Sequence, residues 1–207
     1  MKTKVRILAT AAAVALAAAV FPAAAGEGLA IGDSMPMGGS RLMGLDGNHV
    51  SMGELTGRKG TLVVFSCNSC PWAKAWESRI ADLGNSYQAR GIGVVQINSN
   101  DPARDSEDGL DAMKVRAQKL ALQFPYLVDE TSGLARVYGA TRTPEAFLFD
   151  ASGKLVYHGT IDDNAHEPGK VKAHYLQDAL EAVTAGRAVA VAETKALGCG
   201  IKFRKKS

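Results

Sequence analysis

The sequence predicts an α/β fold with a mixed central sheet and helices on both faces. Two observations carry this. Two short apolar runs, 61–65 and 92–97, suit strands buried on both faces, and a stretch of helical spacing, 70–90, separates them. Further on, extended runs at 145–149 and 154–158 flank the turn-forming Asp150-Ala151-Ser152-Gly153, which predicts an antiparallel hairpin. A strand–helix–strand order implies a right-handed crossover and a parallel pair. The hairpin adds the antiparallel component.

The elements follow in order. Residues 26–60 are rich in Gly and Met, and Asp46-Gly47-Asn48 predicts a hairpin turn. Thr61-Leu62-Val63-Val64-Phe65 is the first buried strand. In 70–90, Trp72, Trp76, Ile80 and Leu83 recur at steps of three and four, and Gly91 ends the helix. Residues 108–122 read as a second helix, with apolar surface from Leu110, Met113, Val115, Leu120 and Leu122. Residues 126–128 are extended, and 131–138 form a short helix closed by Gly139. A final helix spans 171–185 and stops at Gly186.

The chain has 207 residues, 46% hydrophobic and 22% charged, an ordinary globular balance. A chain this long buries a core without disulfide staples, so its three cysteines read as chemistry. Lys2, Lys4 and Arg6 precede an uncharged Ala- and Val-rich stretch, then Phe21-Pro22 and Ala23-Ala24-Ala25. This is the pattern of a signal peptide, 1–25, cut after Ala25. The apolar stretch is short against the roughly 20 residues of a membrane span. No stable membrane anchoring is expected, and the location expected is periplasmic or secreted. The predicted organisation is the leader, a domain at 26–190, and a tail at 191–207 carrying Cys199. Loss of the leader leaves 21 of the 24 basic residues against 21 acidic ones. That neutral balance excludes a nucleic-acid partner argued from charge. The basic run from Lys202 to Lys206 reads as a solvated terminus.

The chemistry-bearing motif is Cys67-Asn68-Ser69-Cys70. It follows a buried strand and opens a helix. Unpaired amides and the dipole at a helix N-terminus favour a thiolate, the attacking species in disulfide exchange. Pro71 falls in the first turn, where a missing N–H matters little. Cys67 is therefore read as nucleophile and Cys70 as resolving thiol. A zinc site needs four ligands. The three cysteines fall short, and no close His pair completes them, so no metal and no cofactor is expected. Cys199 has three readings: a third redox partner that folds back on Cys67 or Cys70, an intermolecular bridge, or a passive thiol. Met35, Met37, Met43 and Met52 read as core filling, with soft copper(I) ligands as the alternative. His49, His158, His166 and His174 read as surface residues. Asp162-Asp163 and the run 98–101 read as turn formers, and the acids of 105–108 as a solvated loop.

Four stretches carry a resemblance. They are Phe65-Ser66-Cys67-Asn68-Ser69-Cys70-Pro71-Trp72-Ala73-Lys74-Ala75-Trp76-Glu77, then 96–101, then 124–130, and Thr143-Pro144-Glu145-Ala146-Phe147-Leu148-Phe149-Asp150 running on to Asp163. With the ending Gly198-Cys199-Gly200-Ile201-Lys202-Phe203, the chain resembles the redoxin or peroxiredoxin-like branch of the thioredoxin superfamily. This branch includes the alkyl hydroperoxide reductase and thiol-specific antioxidant proteins. The resemblance implies a thioredoxin-like fold, with Cys67 at the place of the peroxidatic cysteine. It also implies a cis Thr143–Pro144 bond facing the dithiol, with the Thr143 backbone as a docking edge for an extended substrate.

Departures from the branch bear on function. Peroxiredoxins carry threonine where this chain has Val64, and they lack the close second cysteine. The buried aspartate of thioredoxins is also missing at Val64, so no general base is named. Arg142 stands where relatives often carry cysteine. It reads either as a cation lowering the Cys67 pKa or as an exposed arginine. The function expected is a thiol–disulfide oxidoreductase acting on protein or small-molecule disulfides. Its partner is a disulfide or dithiol protein, or a membrane-linked electron donor. The alternatives are a thiol peroxidase using Cys67, a copper metallochaperone using Cys67, Cys70 and methionines, and a redox-inactive adaptor.

Overall fold

A computed structural model describes residues 28–37 and 41–205. The expected leader lies outside the described residues. Strands β1 (Arg41–Met43) and β2 (His49–Ser51) form the hairpin predicted around Asp46-Gly47-Asn48. Next come β3 (Gly60–Phe65), α1 (Pro71–Ala89), β4 (Ile92–Asn98), α2 (Leu110–Lys119), β5 (Tyr126–Val128) and α3 (Gly133–Tyr138). The chain closes with β6 (Arg142–Thr143), β7 (Glu145–Asp150), β8 (Leu155–Gly159), α4 (Tyr175–Thr184) and β9 (Cys199–Gly200).

Seven strands make one mixed sheet in the order β2-β1-β5-β4-β3-β7-β8. β3 is central: parallel to β4 and antiparallel to β7. A strand covered on both faces cannot alternate polar and apolar residues, and every residue of β3 is buried. Its side chains still alternate in direction. Leu62 and Val64 pack with Trp76, Ile80, Leu176 and Leu180 of α1 and α4. Val63 and Phe65 pack on the other face with Phe147, Phe149, Leu134 and Tyr138. There, Phe65, Tyr138 and Phe147 meet edge to face at 5.3–5.7 Å between ring centres, a favourable quadrupole arrangement.

Several expectations are corrected. The second helix ends at Lys119, short of 122. Ala121 takes a left-handed conformation, and the amides of Ala121 and Leu122 turn back to the Gln118 and Ala117 carbonyls, a Schellman stop. The last helix starts at Tyr175, not 171, because Lys172 and Ala173 are tied by hydrogen bonds to Asp163. Asp162 is buried and accepts from Trp76 Nε1 at 2.8 Å and from Arg79. His158 is half-buried, stacked on Phe147 and 2.7 Å from Glu145. Met35 and Met52 fill the core, whereas Met37 is exposed. Among the described residues no helix is long and apolar enough to cross a membrane.

Residues 191–205 fold back over the domain. The Ala192 carbonyl accepts from the His158 amide, and the Thr194 amide donates to the His158 carbonyl, both at 2.9 Å. β9 then pairs antiparallel with β6, setting Thr143 opposite Cys199 and Arg142 opposite Gly200.

Candidate active site

The site lies where the carboxyl end of β3 meets the start of α1. The Ser66 amide still bonds to Ile97 at 2.9 Å, so the β3–β4 ladder sets where the loop begins. Cys70 is the N-cap of α1 and Pro71 its first residue. Cys67 therefore sits a full loop before the helix. The Thr143–Pro144 bond is cis. Thr143 meets both thiols: its Oγ1 is 3.2 Å from Cys67 Sγ, and its carbonyl is 3.0 Å from Cys70 Sγ. Both cysteines are buried, 5% and 2% exposed, and all three cysteines of the chain are free.

The expectation that free helix amides stabilise a Cys67 thiolate is corrected. The amides of Asn68 and Ser69 are taken by Asp108 Oδ1, at 2.8 and 3.3 Å. Asp108 Oδ2 also accepts from Ser69 Oγ at 2.7 Å and from Asn100 Nδ2 at 2.8 Å. This carboxylate is 2% exposed. The solvated loop expected at 105–108 is thus a buried clasp on the dithiol loop, and Asn98 and Asn100 are buried with it. Sequence reasoning missed Asp108. It stands among the acids Asp105, Glu107 and Asp108, and nothing local marks the one that turns inward. Tyr126 completes the clasp by donating to Asn68 Oδ1 at 3.1 Å.

Charge is shared unevenly between the thiols. The hydrogen bond that Cys67 donates to Cys70, then desolvation, then the Asp108 charge, hold the Cys67 thiol above its ordinary value. The same hydrogen bond, with a contribution from the Ala73 amide, draws Cys70 down to about 4. Cys70 Sγ also donates to the Thr143 carbonyl at 3.0 Å, a bond that works against its ionisation. The two thiols titrate as a pair that gives up its first proton easily.

Arg142 does not reach the thiols. Its side chain is exposed and its guanidinium lies 3.4 Å from the Gly198 carbonyl. Cys199, by contrast, packs against Cys67 and Cys70. Lys202 is drawn into the same network: its Nζ is 3.0 Å from both Ser69 Oγ and Asp105. The ion pair with Asp105 raises its pKa. The solvated terminus expected from Lys202 onward is corrected at this residue. Val64 is fully buried in the core under α1.

The AhpC/TSA family model matches residues 31–158, more than half the chain. The chain belongs to the AhpC/TSA family. It is a redoxin with a thioredoxin-like fold. This AhpC/TSA protein is similar in structure to a conserved protein from Geobacillus kaustophilus. That likeness has 34% identity and a TM-score of 0.79 over 86% of this chain and 94% of the other. A hypothetical protein from Sinorhizobium meliloti 1021 gives 31% identity and a TM-score of 0.79 over 87% and 98%. The thiol-disulfide oxidoreductase ResA of Geobacillus thermodenitrificans is 25% identical over 114 residues, 55% of this chain. That match spans about three-fifths of the curated relative, 61% of its length.

Proposed function

We propose that this redoxin is an exported thiol–disulfide oxidoreductase whose redox centre is the Cys67/Cys70 pair. The observation that carries the reading is the convergence of both thiols on Thr143, beside a cis proline. Export rests on the leader-like pattern at 1–25.

Cys67 attacks a substrate disulfide as its proton passes along the hydrogen bond to the Cys70 thiolate, which serves as the local base. One sulfur of the substrate leaves as thiolate. That thiolate takes the proton from Cys70, and the freed Cys70 attacks Cys67 Sγ. The internal disulfide closes and the second substrate thiolate departs. The pair has lost two electrons and the substrate disulfide has gained them. In an exported compartment a dithiol or membrane-linked donor returns the centre to the reduced state.

The test is trapping. Cys70→Ser incubated with a mixed disulfide reagent is expected to accumulate an adduct on Cys67, mapped by mass spectrometry. An adduct that instead accumulates on Cys70 in Cys67→Ser would reverse the two roles. Hydrogen peroxide added to the reduced protein is expected to give no sustained turnover, since Val64 offers no hydroxyl. Sustained turnover would favour the peroxidase.

A further inference from the structure

The last segment of the chain carries a third thiol into the site and is built to hold it there. Gly198 lies flat on the cis peptide: a Cβ at this position would come within 2.1 Å of the Thr143 carbonyl oxygen and 3.3 Å of Pro144 N. No side chain fits, so glycine is required by close approach, not by its torsion angles. Cys199 then pairs with Thr143, and the Ile201 amide donates to the Thr141 carbonyl at 3.0 Å. Ile201 is buried, Lys202 bonds through its backbone to Asn100 and Asp101, and the Arg204 amide donates to Ser132 Oγ. Seven residues are thereby fastened across the edge expected to receive a substrate.

Within that frame Cys199 packs on the Cys67–Cys70 cluster. It is also half-buried, where the other two thiols are buried. We infer that Cys199 is a third redox thiol, which exchanges with Cys70 so that the centre holds either of two disulfides, Cys67–Cys70 or Cys70–Cys199. The inference rests on the proposed redox role of the Cys67/Cys70 pair and adds the route by which that pair meets a partner.

The exchange is balanced. The Cys199 thiolate attacks Cys70 Sγ of the Cys67–Cys70 disulfide. The Cys70–Cys199 bond forms, the Cys67–Cys70 bond breaks, and the electron pair leaves on Cys67. Cys67 takes up a proton from water equivalent to the one Cys199 released. No electron enters or leaves in this step. A protein dithiol at the surface then attacks Cys199, expels Cys70 as thiolate, and closes its own disulfide to release Cys199. Two electrons have entered through the half-buried Cys199 thiol. In the reduced protein the Cys199 thiol is pushed up to about 11 by desolvation and by its charged neighbour Cys70. Once Cys70 is bound in a disulfide that neighbouring charge is gone, so Cys199 ionises more easily when it is needed.

The experiment is diamide oxidation of the dilute protein, alkylation, and mapping of linked peptides without reduction. Wild type is expected to yield both Cys67–Cys70 and Cys70–Cys199 links. Cys67→Ser is expected to yield the Cys70–Cys199 link as its main product in a monomer, with loss of alkylation at both residues. A natively folded Cys67→Ser or Cys67→Ala that leaves Cys70 and Cys199 alkylatable overturns the inference. Absence of the Cys67–Cys70 link from wild type overturns the parent reading instead, and leaves the Cys70–Cys199 result to be read separately. Partial oxidation of wild type supplies the same linked peptides without a substitution, and there absence of a Cys70–Cys199 link counts against the inference.

Discussion

Cys199 stands directly opposite Thr143 in an antiparallel pair, so the residue that contacts both site thiols also positions the third. The Thr143 edge is covered by β9. On the proposed reading, a substrate either displaces β9 or reaches the centre through Cys199.

The close approach of Gly198 gives the first prediction. Gly198→Val forces a side chain against the Thr143 carbonyl and lifts the segment. Overpacking of this kind costs about 1–3 kcal/mol. In a chain of this size that is a fall of about 2–4 °C in Tm per kcal/mol, measurable by calorimetry. Cys199 is expected to alkylate faster at the same time. An unchanged alkylation rate would show that the segment is not held through Gly198.

Asp108 gives the second. Asp108→Ala leaves the buried Asn68 amide, the half-buried Ser69 amide and the buried Asn100 side chain without their acceptor. Unsatisfied buried donors cost about 1–3 kcal/mol each, so the expected loss is on the order of 3 kcal/mol by denaturant titration. Removal of the negative charge also lowers the Cys67 pKa, because that charge raises it. A faster Cys67 alkylation at neutral pH in the less stable variant is the signature.

The shared proton gives the third. Cys70 titrates near 4 because Cys67 donates to it. Thiolate absorbance of the reduced protein is expected to persist down to about pH 5, far below the ordinary thiol range. Cys67→Ala removes the donor, which destabilises the anion, so the midpoint moves up. The linkage follows the same sign. Cys70 titrates lower folded than unfolded, so its contribution to stability is fully present above the unfolded thiol pKa and is lost as pH falls through about 4. At alkaline pH the raised Cys67 pKa works the other way, and stability falls as that thiol is forced to ionise. Equilibrium unfolding of the reduced protein from pH 4 to 9 should rise relative to Cys70→Ala; a flat difference would refute the assignment of the charge.

Thr143 gives the fourth. Its hydroxyl lies 3.2 Å from Cys67 Sγ, and it pulls the Cys67 pKa down against the stronger influences of Cys70 and burial that raise it. Thr143→Ala is expected to slow attack by Cys67 at neutral pH, while Thr143→Ser preserves it. Equal rates in the two variants would remove the hydroxyl from the mechanism.

Much of this architecture was legible in the residues. The apolar runs at 61–65 and 92–97, the helical spacing of Trp72, Trp76 and Ile80, and the hairpin around residues 150–153 each reflect a local periodicity, and each element formed where the period placed it. Helix ends were less legible. Ala121 and the Asp163 contacts stop or delay helices through specific hydrogen bonds that no periodicity records.

By itself, the sequence determined the fold class and the nearness of Cys67 to Cys70, because both depend on neighbours in the chain: apolar spacing, and two residues between the thiols. Only the tertiary structure decided which groups surround that pair. Asp108 lies about 40 residues from Cys67, Thr143 about 76, and Cys199 further still, by way of Thr143. Contacts of such separation arise when strands pack and exclude water, and they set the surroundings in which the two thiols titrate. That is why Asp108 looked like an ordinary surface acid and Cys199 like a leftover thiol until the sheet brought them to the dithiol.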